Sequence, residues 1–258
     1  MRYFSPMATV DELGAHLDAL PSAVLGYSGG VDSAVLAVVG ARRLGPARFL
    51  AVIGRSASYP EVQWRTAVEL ATRFGVPLFE VDTHELADPS YAANPLNRCF
   101  FCKSELWRVL GAVAAERGFQ HLLDGTNLDD LNEHRPGAAA GAARRVHSPF
   151  VELRWTKADV REAARELGLP TWDAPAAPCL SSRIQYGLSV TPERLRQVER
   201  AEAVIRDCGV VGDIRVRHLG ELARVEVLPA ERPWVEARWA EVSAKLRALG
   251  FAGAELDE

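Results

Sequence analysis

The sequence predicts an α/β fold: a doubly wound parallel sheet followed by a smaller C-terminal α+β domain. Between residues 23 and 82 short apolar runs alternate with amphipathic stretches, the order of strand, helix, strand, helix, strand with short connections. Beyond residue 186 that order gives way to helix, two alternating strands, helix and strand. The length, 258 residues with 48% apolar and 25% charged, suffices for one large α/β domain and an appendage.

Apolar runs at 23–26, 49–53 and 78–81 read as buried strands, with helices at 34–44 and 62–74 between them. A second set follows: a helix at 103–117, an apolar run at 121–123, and a helix at 157–167 ended by Gly168 and Pro170. A parallel sheet of this kind is covered on both faces and receives ligands at the carboxyl ends of its strands, where the strand order reverses. The small residues of 137–143 read as a mobile loop. Thr191 is a candidate N-cap with Pro192 in the first helical position of a helix running to about residue 207. Stretches 213–218 and 223–228 then form a hairpin around Leu219-Gly220-Glu221, followed by a helix at about 231–249 and a strand at 254–256. The expected domains are 1–186 and 187–258, the second an α-β-β-α-β unit.

Thirty Lys and Arg against 34 Asp and Glu give a formal charge of −4, so no overall basic field exists to hold nucleic acid. No run approaches the roughly 18 apolar residues of a membrane span, and residues 1–13, interrupted by Arg2, Ser5, Asp11 and Glu12, do not form a signal peptide. A soluble, cytoplasmic protein with neither nucleic acid nor membrane as partner is expected. Four cysteines, at 99, 102, 179 and 208, are too sparse for a disulfide scaffold and are expected as thiols.

After the first strand the chain reads Tyr27-Ser28-Gly29-Gly30-Val31-Asp32-Ser33 and enters an apolar helix. The glycines let backbone N–H groups approach an anion, the helix N-terminus adds partial positive charge, and Ser28 and Ser33 add hydroxyls. Asp32 could hold a Mg²⁺ bridging phosphates. The lysine of a Walker A loop is missing, so this is a different phosphate cradle. Asp124-Gly125-Thr126-Asn127-Leu128-Asp129-Asp130 follows the strand at 121–123 and so reaches the same sheet edge; Thr126 and Asn127 offer hydrogen bonds, and Asp129 or Asp130 either support a metal or cap a helix.

Asn97-Arg98-Cys99-Phe100-Phe101-Cys102-Lys103 places two thiols three positions apart immediately before a helix, a spacing shared by zinc sites, iron–sulfur clusters and dithiol redox pairs. No second pair completes a zinc shell. Cys179, in a Pro-rich loop after a helix, is expected at the same strand ends, and three thiolates there would leave the fourth corner of a cubane cluster open. Cys208, inside an apolar pattern near a helix end, reads as core. Arg215 and Arg217 share one face of a strand, and like Arg183 they carry the planar fork that matches carboxylate or phosphate.

Ser-Gly-Gly-Val-Asp-Ser between a first strand and helix resembles the pyrophosphate (PP) loop of the N-type ATP pyrophosphatases, whose fold is adenine nucleotide alpha hydrolase-like. The resemblance implies cleavage of ATP to AMP and pyrophosphate, with Mg²⁺, to adenylate a carbonyl or carboxylate oxygen before a nitrogen or sulfur nucleophile attacks. The implied ATP-binding residues are Ser28, Gly29, Gly30, Val31, Asp32, Ser33, Gly125 and Thr126.

Within that superfamily, the stretch Asp173 to Arg183 with Pro-Ala-Ala-Pro-Cys-Leu-Ser-Ser-Arg, then Tyr186-Gly187, resembles the ATP-dependent sulfur transferases (LarE) that help build the nickel-pincer nucleotide cofactor of lactate racemase. Arg135-Pro136-Gly137, Ser148-Pro149, Leu167-Gly168-Leu169-Pro170-Thr171-Trp172-Asp173 and Arg215-Val216-Arg217-His218 extend the resemblance from about residue 26 to the C-terminus. It implies a pyridinium dicarboxylate mononucleotide substrate, each carboxylate being adenylated and converted to a thiocarboxylate, and a homo-oligomer. It also implies one of two sulfur sources. Either Cys99, Cys102 and Cys179 hold a [4Fe–4S] cluster carrying a sulfide resupplied from a source not identified by the sequence, or Cys179 gives up its own sulfur and becomes dehydroalanine. The cysteine pair favours the cluster. Ser182, Arg183, Arg215 and Arg217 match substrate-binding positions, and Glu202 and Glu226 match acidic positions near the substrate and its Mg²⁺. The acidic residue expected some eight positions beyond Glu226 is replaced by Trp234, with Glu231 the candidate substitute.

Rival readings are a tRNA-thiolating enzyme, disfavoured by the many acidic residues after Gly187, an amidating synthetase of NAD or GMP, which needs no rim cysteines, and a regulatory module that senses ATP without turnover.

Overall fold

A computed structural model describes residues 9–132 and 138–257. The strands are β1 (Ala23–Gly26), β2 (Phe49–Arg55), β3 (Leu78–Asp82), β4 (His121–Leu123), β5 (Ile214–Leu219), β6 (Leu222–Val227) and β7 (Gly253–Leu256). The helices are α1 (Val10–Asp18), α2 (Val31–Leu44), α3 (Glu61–Arg73), α4 (Pro89–Ala92), α5 (Arg98–Arg117), α6 (Ala138–Ala142), α7 (Pro149–Glu152), α8 (Lys157–Glu166), α9 (Pro192–Asp207), α10 (Arg232–Ala237) and α11 (Trp239–Ala248).

The chain divides into two compact units. The first comprises Met1–Ser56, Glu61–His84 and Cys99–Ala177; the second comprises Ala57–Pro60, Glu85–Arg98 and Pro178–Glu258. In the first, β3-β2-β1-β4 form a parallel sheet, with Val24 paired to Leu50 on one side and Leu122 on the other. Strand alternation sends Val24, Leu50 and Val52 to one face, where Trp107, Leu110, Val113 and Ala114 of α5 cover them. The opposite face, carrying Phe49, meets α2 at Gly40, where a Cβ would stand 2.3 Å from the Phe49 ring. Strands β1 and β2 are therefore buried on both faces, as their apolar runs predict, whereas β3, expected as a buried strand, is a half-exposed edge strand with Glu80 and Asp82 open to solvent. Because β4 joins β1 on the side away from β2, the order reverses at β1, and the connections after β1 and β4 emerge side by side.

In the second unit β5 and β6 are antiparallel and β7 joins β6 in parallel. Gly220, at φ 85°, turns the hairpin at the position the sequence marks. Ala201 and Ile205 of α9 and Val242 and Leu246 of α11 pack on Val216, Ala223 and Val225. Thr191 caps α9 by accepting from the Arg194 N–H, with Pro192 just inside.

Several elements differ from expectation. The helix expected at 103–117 begins at Arg98, so Cys99 and Cys102 lie within its first turns rather than before it. The apolar Cys-Phe-Phe-Cys run gives no helical period of its own. Residues 138–142 form α6 instead of a loop, in keeping with the high helix propensity of alanine. Arg135, Pro136 and Gly137 lie outside the described residues. The helix expected at about 231–249 is two helices, broken at Arg238 where φ −112° and ψ 8° leave the helical region. Helices α1, α4 and α7 are not among the expected elements; each is capped by the residue before it or opened by a proline.

Candidate functional site

The loop after β1 is held by its own hydroxyls. Ser33 Oγ accepts from the Ser28 N–H at 3.2 Å and donates to the Gly30 carbonyl at 3.1 Å, so the turn is closed around the start of α2. Gly29 has φ 71°, and a Cβ there would stand 2.5 Å from the Ala67 Cβ; Gly30 has φ −67° and would meet nothing nearer than Ser28 Oγ at 3.5 Å. The steric demand for glycine thus falls on Gly29. Val31 and Ser33 are buried in the first turn of α2.

Asp32 is engaged on both oxygens. Asn127 Nδ2 donates to Oδ1 at 3.0 Å, and the Lys157 ammonium lies 2.5 Å from Oδ2. The loop itself lacks the lysine of a Walker A motif; the fold supplies a cation there from the first residue of α8. Its approach is built in stages. Thr156 and Asp159 form a capping box at the start of α8, and Asp129 Oδ2 accepts from the Lys157 N–H at 2.7 Å. Asp129 is accordingly a helix cap, and Asp130 accepts from the Asn127 N–H at 3.1 Å, so both read as turn residues in this geometry.

Asn127 is buried, and its Oδ1 accepts from the Asp129 N–H at 3.0 Å while its amide nitrogen holds Asp32. Asp124 accepts from the Thr126 N–H and hydroxyl and from Ser148 Oγ, at 3.1, 2.9 and 2.7 Å. Gly125 lies against the phosphate loop: a Cβ would stand 3.0 Å from both the Asp32 Cβ and the Ser33 nitrogen. Beside Lys157 a cavity of about 490 Å³ opens, bordered by Asp129, Arg161 and Trp172. The first unit therefore brings Ser28, Gly29, Gly30, Val31, Asp32, Ser33, Gly125 and Thr126 to one sheet edge and adds Lys157 and Asn127.

Cys99 is exposed and Cys102 half-buried, one helical turn apart at the start of α5. Among the described residues no three His, Cys, Asp or Glu side chains gather as a metal site.

In the second unit Cys179, half-buried, precedes a 3₁₀ turn at Leu180–Arg183. Its carbonyl accepts from Ser182 Oγ at 2.7 Å and from Arg183 Nη1 at 3.2 Å. Arg183 is buried, and it donates from Nε to Glu202 Oε1 at 2.8 Å and from Nη1 to the Pro178 carbonyl at 2.6 Å. Glu202 Oε1 also accepts from the Val216 N–H at 3.2 Å. Arg217 forms a bidentate pair with Glu226 at 2.7 and 2.9 Å and reaches the Ser182 carbonyl at 3.0 Å; the Glu226 carboxylate raises the already high pKa of the guanidinium. Arg215, on the same strand face, is half-exposed and meets Asp213 at 3.5 Å. Of the three arginines it commits its guanidinium least. Glu202 and Glu226 face arginines, and Glu231 accepts from the Val211 and Gly212 N–H groups at 2.8 and 2.9 Å, holding a turn.

Residues from another part of the sequence fix this loop. Tyr91 Oη lies 2.6 Å from Ser181 Oγ, and Asn94 Nδ2 donates to the Ile184 and Gln185 carbonyls at 3.3 and 2.9 Å. Cys208 ends α9, packs on the core of its unit, and presents its carbonyl to Trp234 Nε1 at 2.8 Å.

A family model described as NAD synthase matches residues 10–94. An uncharacterized protein of Synechocystis is 41% identical over 222 residues, which is 86% of this chain and 82% of that protein. The pyridinium-3,5-bisthiocarboxylic acid mononucleotide synthase of Lactiplantibacillus plantarum is 30% identical over 245 residues, covering 95% of this chain and 88% of the relative. The glutamine-hydrolyzing GMP synthase of Aeropyrum pernix is 29% identical, with 84% of this chain matched to 51% of that protein.

Proposed function

Because this chain belongs to the LarE family of PP-loop ATP-dependent sulfurtransferases, to which the Lactiplantibacillus pyridinium-3,5-bisthiocarboxylic acid mononucleotide synthase belongs, we propose that it adenylates the carboxylates of a pyridinium dicarboxylate mononucleotide and converts them to thiocarboxylates. The observation that carries the reading is the loop at residues 27–33 with Lys157 and Asn127 both placed on Asp32. A substrate carboxylate oxygen attacks the α-phosphorus of ATP, and pyrophosphate leaves. The N–H groups at the start of α2, the Ser28 and Ser33 hydroxyls and the Lys157 ammonium take up the charge that collects on the leaving group. Mg²⁺ would be held from Asp32, with Lys157 turning from the carboxylate to the phosphates. Gly125 and Thr126 line the nucleotide from the neighbouring strand end.

A sulfur nucleophile then attacks the acyl carbonyl; the C–O bond to AMP breaks, AMP departs with the electron pair, and a thiocarboxylate remains. Arg215 is the arginine proposed to meet the incoming anion, while Arg183 and Arg217, locked to Glu202 and Glu226, position the loop that carries Cys179 and Ser182. As a donor set, Cys99, Cys102 and Cys179 are soft thiols suited to iron, and we assign them to a [4Fe–4S] cluster. When bound, the cluster supplies a site for an extra sulfide. The substrate is a small nucleotide, and a homo-oligomer is proposed.

The test is pyrophosphate release dependent on the pyridinium substrate, together with iron and acid-labile sulfide on protein purified without oxygen. About four irons in the wild type, lost in Cys99→Ala, Cys102→Ala and Cys179→Ala, support the cluster. No iron after reconstitution moves the sulfur source to Cys179 itself, read as the mass loss of one H₂S after turnover. No substrate-dependent release refutes the function.

A further inference from the structure

In the first unit, two histidines well apart in sequence meet one carboxylate, and a third meets the second of them. His16 Nε2 meets Glu152 Oε2 at 2.8 Å, the other oxygen of Glu152 meets His147 Nδ1 at 3.3 Å, and His147 Nε2 lies 3.3 Å from His121 Nδ1. An ionised carboxylate only accepts, so Glu152 fixes the proton of His147 on Nδ1 and leaves the Nε2 lone pair aimed at His121. This carboxylate–imidazole arrangement is the one that orients histidine for a metal.

The geometry points to a chelate of a divalent transition ion, Zn²⁺ or one of its neighbours, between His121 Nδ1 and His147 Nε2. Two nitrogens on one tetrahedral ion at the usual Zn–N length stand about 3.3–3.4 Å apart with ring centroids about 5.2 Å apart, whereas a straight N–H···N bond of the same length puts the centroids at about 5.6 Å. The rings here have centroids 5.0 Å apart and planes 77° apart, closer than a straight N–H···N bond of that length sets them and near the separation of a shared ion. Binding requires only that His121 carry its proton on Nε2. A cavity of about 500 Å³ beside the pair, lined also by Phe119, Arg144 and Arg145, leaves room for water or an anionic third ligand on the open positions. His121 opens β4, whereas the residues facing the phosphate loop follow its last residue, so this site is separate from the nucleotide cradle. An ion here would pin the start of β4 to the segment before α7.

The experiment is a calorimetric titration of Zn²⁺ into the full chain carrying Cys99→Ala, Cys102→Ala and Cys179→Ala, so that those thiolates do not compete. One Zn²⁺ per chain is expected, with affinity falling at least about tenfold in His121→Ala and in His147→Ala and roughly tenfold in Glu152→Gln. In the parent protein, which needs no histidine variant, Zn²⁺ is expected to shift the ring ¹⁵N resonances of both His121 and His147. No binding step in the parent, undiminished affinity in either histidine variant, or unmoved imidazole resonances overturns the chelate.

Discussion

Replacing Glu202 by leucine tests the claim that the arginine beside Cys179 organises its loop. The Arg183 and Glu202 side chains are 7% and 13% exposed, and they meet at 2.8 Å with further bonds from Arg183 to the Pro178 and Cys179 carbonyls. Glu202→Leu leaves a buried guanidinium without its counter-charge and the Val216 N–H without its acceptor, at a cost of about 3–5 kcal/mol. For a chain of this size that lowers Tm by roughly 6–20 °C, at about 2–4 °C per kcal/mol. Thermal unfolding followed by circular dichroism reads the shift, and the alkylation rate of Cys179 below Tm reads the loop, which is expected to react faster once released. The double variant Arg183→Met/Glu202→Leu, apolar on both sides, is expected to recover most of the stability without restoring thiocarboxylate formation. A single variant melting within about 2 °C of the wild type, beyond which the roughly 2–4 °C per kcal/mol scale leaves no buried-pair cost, refutes the argument.

Three further outcomes follow from the geometry. Lys157→Met is expected to reduce pyrophosphate release by about 10²–10³-fold with little change in Tm, because its ammonium is partly exposed; release within threefold of wild type contradicts its place on the leaving group. Gly29→Ala should abolish binding of a non-hydrolysable ATP analogue, since it adds about 1–2 kcal/mol of left-handed strain and a Cβ 2.5 Å from that of Ala67, while Gly30→Ala should bind normally; equal binding by both variants removes the steric distinction. Burial holds the pKa of His218 below its ordinary 6.5, so the stability tied to its neutral form is present above about pH 6.5 and declines as pH falls through that value toward the folded one. His218→Gln is expected to flatten the slope of Tm between about pH 7 and 5, and an unaltered slope counts against that assignment.

What was legible in the sequence was whatever a local pattern records. β1 and β2 announce themselves as apolar runs because both faces of a parallel sheet are buried, and the phosphate loop because a strand, two glycines and a helix start must be contiguous. Lys157 reaches Asp32 across 125 positions, and nothing near residue 157 marks more than a helix start. The same blindness applies to burial. Arg183 reads as a binding guanidinium in the sequence, and only the packing of α9 shows that Glu202, 19 residues on, occupies it. Strand alternation alone puts Arg215 and Arg217 on one face, but cross-strand register decides that Glu226 stands opposite Arg215 yet pairs with Arg217. The cysteine pair was visible as spacing, whereas its place inside α5 was hidden by a run of aromatic and apolar residues without helical period.

The second unit is assembled from three separated stretches, and this bears on how the chain is made. Tyr91 and Asn94 are synthesised some ninety residues before Ser181, Ile184 and Gln185, the groups that satisfy them, and the Gly187 and Val190 N–H groups bond back to the Asn94 and Ala92 carbonyls at 3.2 and 2.8 Å. On the ribosome, the early stretch must wait, with its polar groups still hydrated, until the last third of the protein emerges to close a long loop. A fragment beginning at residue 187 would keep the core of α9, α11 and β5–β7 but lose the Asn94 and Ala92 carbonyls that accept from its first residues, so the start of that piece is fastened by residues translated well ahead of it.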